Sequence, residues 1–346
     1  MSPRPTPQDL LPWALSALEI PSVDAPSDLS VIAGDASPRR YFRLALPSGN
    51  YVVVDAPPAT EKNEAFVGVA RLLASAGVKV PAVLAVDFER GYLLLEDLGD
   101  QLLLPLLDGD SVDALYAQAF SALAKMAAAN TTGSGLGDYD VALLSEELGR
   151  FQAWFVQELL GYAPGEDELA QLDRLSARLV ESALQQPRVL VHRDFHSRNL
   201  MLADGGELAV IDFQDAVVGP ITYDLVSLLR DCYIHWPASQ VRGWALAYHE
   251  LLSARGLVAD LDQQQFLRWF DWMGLQRHLK VLGTFARLYL RDGKAAYLDD
   301  LPLVIHYVVE ISAKYAHEEP TFAEFSEWFT RCLSPLIAQQ SWGATQ

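Results

Sequence analysis

Cysteine is nearly missing from these 346 residues: there are two, Cys232 and Cys332, far apart in the chain. That pair excludes a disulfide scaffold or a cysteine-ligated zinc site, and a reducing, cytoplasmic setting is expected. Long apolar runs are also missing. Stretches such as residues 92–95 and 301–305 fall far short of the ~20 residues a membrane-spanning helix needs. The start carries Pro3, Pro5 and Pro7 and no apolar core of a signal peptide. Positive charge is scarce: 26 Lys and Arg stand against 45 Asp and Glu, a net charge of −19. Nucleic-acid and anionic-membrane binding both need a basic footprint, so neither is expected. No stable protein partner is evident, and the surplus of acid reads as solubility.

What is present fits about two compact units at roughly 150 residues each, enough to bury a sizeable core. Residues 29–33, 41–46 and 51–55 are short runs rich in Val, Ile, Leu and Tyr, separated by turn chemistry at residues 34–38 and 47–50. Residues 61–76 read as a helix with Phe66, Val69, Ala70, Leu72 and Leu73 clustered, stopped by Gly77. Two more strands are predicted at 82–88 and 92–96. After Gly99 the texture turns helical, over 111–130, 140–160 and 166–185, and again from Pro237 onward. Thr321-Phe322-Ala323-Glu324 has the form of a capping box opening the last helix. An island of short strands sits at 189–191, 200–202 and 208–211. The expectation is an α+β chain with a small sheet-bearing lobe over residues 1–98, a large, mainly helical lobe over 99–346, and a ligand in the cleft between them.

The island carries the chemistry. Asp194, Asn199 five positions later and Asp212 each sit at the end of an apolar run or on the loop between two. Loops at strand ends expose polar side chains. Phosphoryl transfer needs one carboxylate to orient an attacking hydroxyl and take its proton, and oxygen ligands to hold Mg²⁺ on nucleotide phosphates.

His192-Arg193-Asp194 with Asn199, then Asp212-Phe213, resembles the catalytic loop and metal-binding motif of the protein-kinase-like fold. His196, the run Gly219-Pro220 to Asp231, and Gly77-Val78-Lys79-Val80-Pro81 are similar to the aminoglycoside phosphotransferase family. Asp55-Ala56-Pro57-Pro58, Gly34-Asp35-Ala36-Ser37-Pro38-Arg39-Arg40-Tyr41 and Gln276-Arg277-His278-Leu279-Lys280 resemble that family's anomeric sugar kinases of bacterial cell-wall recycling, which act on N-acetylmuramate and N-acetylglucosamine.

The resemblance implies a bilobal protein-kinase-like fold, ATP and Mg²⁺ as cofactors, and a small-molecule sugar as substrate. It implies Asp194 as general base, Asn199 and Asp212 as metal ligands, and Asp224 as a buried support of the catalytic loop. Gly34, Asp35, Ala36 and Ser37 would lie over the ATP phosphates, and Glu96 and Leu98 at the adenine edge. Trp272, Gln276, Arg277 and Lys280, in one helical stretch, would serve the acceptor with Asp194: aromatics stack on sugars, and a cation meets a carboxylate. One feature departs from the pattern. The strand that usually carries a phosphate-binding Lys reads Tyr51-Val52-Val53-Val54-Asp55-Ala56, with no Lys. Lys62 is the nearest candidate substitute. A different acceptor (an aminoglycoside or a choline-like alcohol) and a non-catalytic nucleotide-binding relative stay open as alternatives.

Overall fold

The computed structural model describes residues 5–20, 28–32 and 38–343. The expected phosphate-covering turn, Gly34 to Ser37, lies outside the described residues. By contact the chain forms two units: residues 1–125 with 198–216, and residues 126–197 with 217–346. The sequence reading draws a single boundary after residue 98.

The first unit holds α1 (Leu10–Ala17) and an antiparallel sheet of β1 (Ser30–Val31), β2 (Arg40–Leu46), β3 (Gly49–Asp55), β4 (Val83–Asp87) and β5 (Tyr92–Glu96), in the order β1-β2-β3-β5-β4. Phe42 and Leu44 alternate along β2 to one face, as the two-residue period of a strand requires. There they pack with Val53, Leu94 and with Leu10, Ala14 and Leu15 of α1. Each fully buried Leu, Val or Phe among them contributes about 1.5–3 kcal/mol. α2 (Asn63–Ser75) buries Phe66, Val69, Ala70 and Leu73 at helical spacing and ends before Gly77, as expected.

The short hairpin of β8 (Leu200–Leu202) and β9 (Leu208–Val210) belongs to this unit for a plain reason: its backbone is bonded into it. Leu103 N–H donates to Leu200 O at 2.8 Å, Leu202 N–H to Gln101 O at 2.9 Å, and Val210 N–H to Lys79 O at 2.9 Å. The unit runs beyond residue 98 through most of α3 (Val112–Ala127), to Lys125.

The second unit is mainly helical: α4 (Val141–Arg150), α5 (Glu166–Leu184), α6 (Tyr223–Leu229), α7 (Ala238–Ala254), α8 (Gln263–Asp292), α9 (Leu301–Tyr315), α10 (Pro320–Trp328) and α11 (Ser334–Ile337). A small sheet joins β6 (Gly137–Asp138), β7 (Arg188–Val191) and β10 (Val217–Pro220), with β10 parallel to β6 and antiparallel to β7. Two sequence expectations need correction. The helix predicted over 140–160 is α4 followed by a π-helical turn, Phe151–Leu159. The change falls where Gly283 of α8 packs so close that a Cβ there would stand 2.2 Å from the Arg150 carbonyl carbon. The expected capping box at Thr321 is not formed. α10 starts one residue earlier, at Pro320, whose fixed φ and missing N–H suit the first helical position, and Glu319 makes no side-chain cap. Among the described residues no helix is long and apolar enough to cross a membrane.

Candidate functional site

The first unit contains a cavity of about 560 Å³. Its walls come from β2, β3, the end of β5 with the segment after it, and the β8–β9 hairpin with the residues flanking it. Of the sequence-predicted nucleotide residues, Glu96 and Leu98 line it. The Glu96 carboxylate is engaged: it accepts from Lys79 Nζ at 2.6 Å and from Ala82 N–H at 3.1 Å. Val52 lines the cavity from the strand whose lysine is missing. Lys62 is not among the lining residues. It pairs with Asp215 at 3.0 Å, and both side chains are exposed.

Asn199 and Asp212 both line this cavity. Asp212 has φ of +64°, a left-handed conformation that Asp tolerates better than most residues. Asn199 Nδ2 stands 3.5 Å from Asp212 Oδ2, a long contact, while Gln214 Nε2 donates to Asp212 Oδ1 at 2.9 Å. The residue types fit a hard cation: a carboxylate and a side-chain amide that meet at 3.5 Å beside this cavity, the amide presenting its nitrogen to Oδ2. Mg²⁺ characteristically takes one or two carboxylates and completes its shell with waters and substrate phosphates. Among the described residues no group of three or more His, Cys, Asp or Glu side chains is placed to hold a metal by itself.

Asp194 lies in the second unit, half-buried among cations. Burial pushes its carboxyl up, but Lys280, His196 and Arg277 outweigh burial and hold it well below the usual carboxylate range. It therefore stays ionised at any physiological pH. The cations are themselves ordered. Glu147 of α4, fully buried, pairs with Arg193 and with Lys280 at 3.4 Å, and accepts from Tyr139 Oη. Lys280 Nζ donates to Tyr223 Oη at 3.0 Å. Arg277, 2% exposed, has a thiol as its polar contact, Cys232 Sγ at 3.6 Å. Burial pushes that thiol up to about 11, so it is neutral and offers the guanidinium no counter-charge.

The loop that presents Asp194 is clamped at both ends from one short stretch of chain. Asp224 Oδ2 accepts from His192 N–H at 2.6 Å and Oδ1 from Arg193 N–H at 3.0 Å. Asp231 Oδ2 accepts from Ser197 N–H at 2.8 Å and from its hydroxyl at 2.5 Å. Arg193 takes a φ of +77°, which the two amide bonds to Asp224 stabilise. Asp224 thus holds the backbone of the loop that carries Asp194, and His192 is part of the same loop, its Nδ1 accepting from Asp194 N–H at 3.2 Å.

Burial pushes the Asp224 carboxyl up to about 6, against the lowering pull of His192 and of the two N–H donors. Between the unfolded value and 6 the native state binds the extra proton. Stability from this group is therefore present at low pH and lost as pH rises through about 6. The loop behaves in the opposite sense, because only the ionised carboxylate accepts fully from both amides. Turnover is expected to fall below about pH 6 with a limb that belongs to Asp224. A kcat–pH profile checks this: the limb should vanish in Asp224→Asn, whose overall rate is also lower.

Four acceptor-side expectations fall on α8, and the structure separates them. Arg277 and Lys280 join the Asp194 cluster. Gln276 is fully buried, with both amide atoms lacking a partner. Trp272 packs in the aromatic core, its ring 4.7 Å from Phe322 with Arg178 and Arg268 over it at 5.5 and 5.4 Å. Its stacking surface is used there, so it presents no open face to a sugar. Sequence reasoning missed Glu147 and Gln214. Glu147 was findable, because it shares the inward stripe of α4 with Leu144 and Leu148 at helical spacing. Gln214 carried no signal beyond lying two residues after Asp212.

The description of the phosphotransferase enzyme family matches residues 28–263. The N-acetylmuramate/N-acetylglucosamine kinase of Pseudomonas putida is 42% identical over 316 residues, 91% of this chain and 89% of that protein. The Pseudomonas aeruginosa protein of the same name is 43% identical over 302 residues, 87% of this chain and 88% of its own length. Among solved structures, choline kinase LicA from Streptococcus pneumoniae superposes with a TM-score of 0.56 at 16% identity, covering 81% of this chain and 94% of its own. An ADP-bound aminoglycoside phosphotransferase gives 0.57 at 14% identity, covering 88% and 99%. Those two likenesses show a shared α+β fold. The matched segment contains Asp194, Asn199, Asp212 and both loop clamps, and the chain belongs to the phosphotransferase enzyme family.

Proposed function

We propose that this protein is an ATP- and Mg²⁺-dependent kinase that phosphorylates the anomeric hydroxyl of N-acetylmuramate and N-acetylglucosamine. The observation that carries the reading is the identity above 40% with kinases of that name across about nine-tenths of both chains. Asp194 orients the hydroxyl and receives its proton. A base held so strongly ionised is a weak one, and the anomeric hydroxyl suits it, being the most acidic of a sugar's hydroxyls through the inductive pull of the ring oxygen. Asn199 and Asp212 hold Mg²⁺, which when bound neutralises phosphate charge. Glu96 and Leu98 line the nucleotide cavity. The hypothesis of a non-catalytic relative rests on the absence of a lysine from β3, and that of a different acceptor on the breadth of the fold.

Arg277 supports the choice of acceptor. A buried guanidinium whose hydrogen-bond contact is a neutral thiol, and which shares the Asp194 charge with Lys280, has room in its electrostatics for a further carboxylate, and N-acetylmuramate carries a lactyl carboxylate where N-acetylglucosamine carries none. Mass spectrometry of each sugar with ATP and Mg²⁺ should reveal a sugar monophosphate that no longer reduces alkaline copper, because C1 is blocked. A reducing product would place the phosphate elsewhere, and no product would leave the sugar reading without support. Arg277→Met is expected to raise KM for N-acetylmuramate about tenfold or more, as loss of a charge-assisted bond of about 1.5–3 kcal/mol implies, while KM for N-acetylglucosamine changes little. Equal effects on both sugars would remove Arg277 from carboxylate recognition.

A further inference from the structure

The first unit has a buried cation that the sequence pattern does not lead one to expect at that place. Arg39, directly before β2, is 3% exposed. Its Nη2 lies 3.2 Å from Glu61 Oε2, just ahead of α2, and its guanidinium sits 4.9 Å above the Phe66 ring. Its Nη1 donates to Gln214 Oε1 at 3.3 Å. Gln214 in turn donates from Nε2 to Asp212 Oδ1 at 2.9 Å. Phe66 stacks on Phe213, the residue between Asp212 and Gln214 in sequence, with ring centroids 4.8 Å apart.

The chemistry of these groups fixes a direction. A guanidinium only donates, so Arg39 obliges the Gln214 amide to turn its oxygen toward it. The amide nitrogen then has one place to go, the Asp212 carboxylate, and it occupies Oδ1. That leaves Oδ2, which meets Asn199 Nδ2 at the long distance of 3.5 Å, as the oxygen more readily given to a ligand. We propose that Glu61, Arg39 and Gln214 form a positioning relay that sets the orientation of the Asp212 carboxylate, and that Arg39 thereby answers the missing strand lysine by acting through Asp212. Arg40, its neighbour, is spent otherwise, on Asp55 at 3.1 Å. The relay rests on the reading of Asp212 as a Mg²⁺ ligand. Partners of a ligating group that lie one bond further out typically govern metal affinity by about 10–100-fold.

Calorimetry of ADP binding with Mg²⁺ and with a chelator separates the possibilities. Gln214→Leu is expected to weaken binding in Mg²⁺ by about tenfold or more while leaving metal-free binding unchanged. The Mg²⁺ concentration giving half-maximal turnover should rise by a similar factor. Gln214→Glu should be worse, since its carboxylate still satisfies Arg39 but turns an acceptor on Asp212. Arg39→Met should follow Gln214→Leu. If it fails to fold, Gln214→Leu decides alone, because its side chain is only half-buried. Wild-type Mg²⁺ dependence in Gln214→Leu overturns the relay. Asp212→Asn tells that failure from a deeper one: if it too binds the nucleotide with undiminished help from Mg²⁺, Asp212 is no ligand and the reading beneath the relay falls.

Discussion

Asp194→Asn is expected to leave a folded protein that still binds nucleotide and turns over about 10²–10⁴ times more slowly, the usual contribution of a general base. The substitution keeps shape and removes charge, so it isolates the role. Its surroundings tolerate the change unevenly. Lys280 and Arg193 retain Glu147 as a counter-charge, whereas Arg277 loses Asp194, the carboxylate that acts on it. With the nucleotide proposed to bind in the first unit's cavity, ADP affinity should not move. Circular dichroism and ADP binding establish that the variant is intact, and single-turnover kinetics gives the rate of the chemical step. Near-normal turnover in an intact variant would sink the assignment. Because the wild-type carboxyl is held below the usual range, no activity limb between pH 5 and 8 should respond to this substitution, in contrast to the Asp224 limb.

The fold was legible wherever local pattern carries it. The strands at 41–46, 51–55 and 92–96 and the helix after Glu61 were marked by apolar periodicity between turn residues, and these signals survive in the structure almost residue for residue. The β6 and β10 strands were not legible, since Gly137-Asp138 and Val217 to Pro220 gain strand geometry only by pairing with distant chain. The division of the molecule was not legible either, because it depends on backbone bonds from Leu103 and Lys79 to the β8–β9 hairpin. For the site, Asp194, Asn199 and Asp212 stand out by type and spacing. The groups that hold them do not. Gln214 matters through the orientation Arg39 gives its amide, and Glu147 through three partners from separate elements. Lys62 was chosen by sequence proximity, and proximity does not reveal that Asp215 holds it in solvent.

Asp271→Leu is expected to cost about 3–5 kcal/mol of stability, a large share of the ~5–15 kcal/mol available to a folded protein. Asp271 is 2% exposed on α8 and accepts from Arg230 Nη2 at 2.5 Å, Lys314 Nζ at 2.6 Å and Tyr315 Oη at 2.7 Å. Burial pushes its carboxyl up, yet Arg230 and Lys314 together bring it below its ordinary value. The stabilisation is thus present above about pH 4 and lost as pH falls through the depressed value. Removing the carboxylate strands the Arg230 guanidinium, which lies over the Phe270 ring and fits beside Gly274, where a Cβ would come within 2.8 Å of Nη1. It cannot swing out to water without opening α6 from α8. Urea unfolding measures the loss, and the double variant Asp271→Leu with Arg230→Met should recover much of it, since a buried pair replaced whole costs far less than one broken. The consequence reaches the chemistry through adjacency. Arg230 precedes Asp231, which anchors Ser197 at the end of the loop carrying the proposed base Asp194, so Asp271→Asn, which keeps an acceptor and costs less stability, should still lower kcat with little effect on ADP binding. Unchanged stability in Asp271→Leu would mean that Arg230 finds solvent after all, and that the loop is anchored without it.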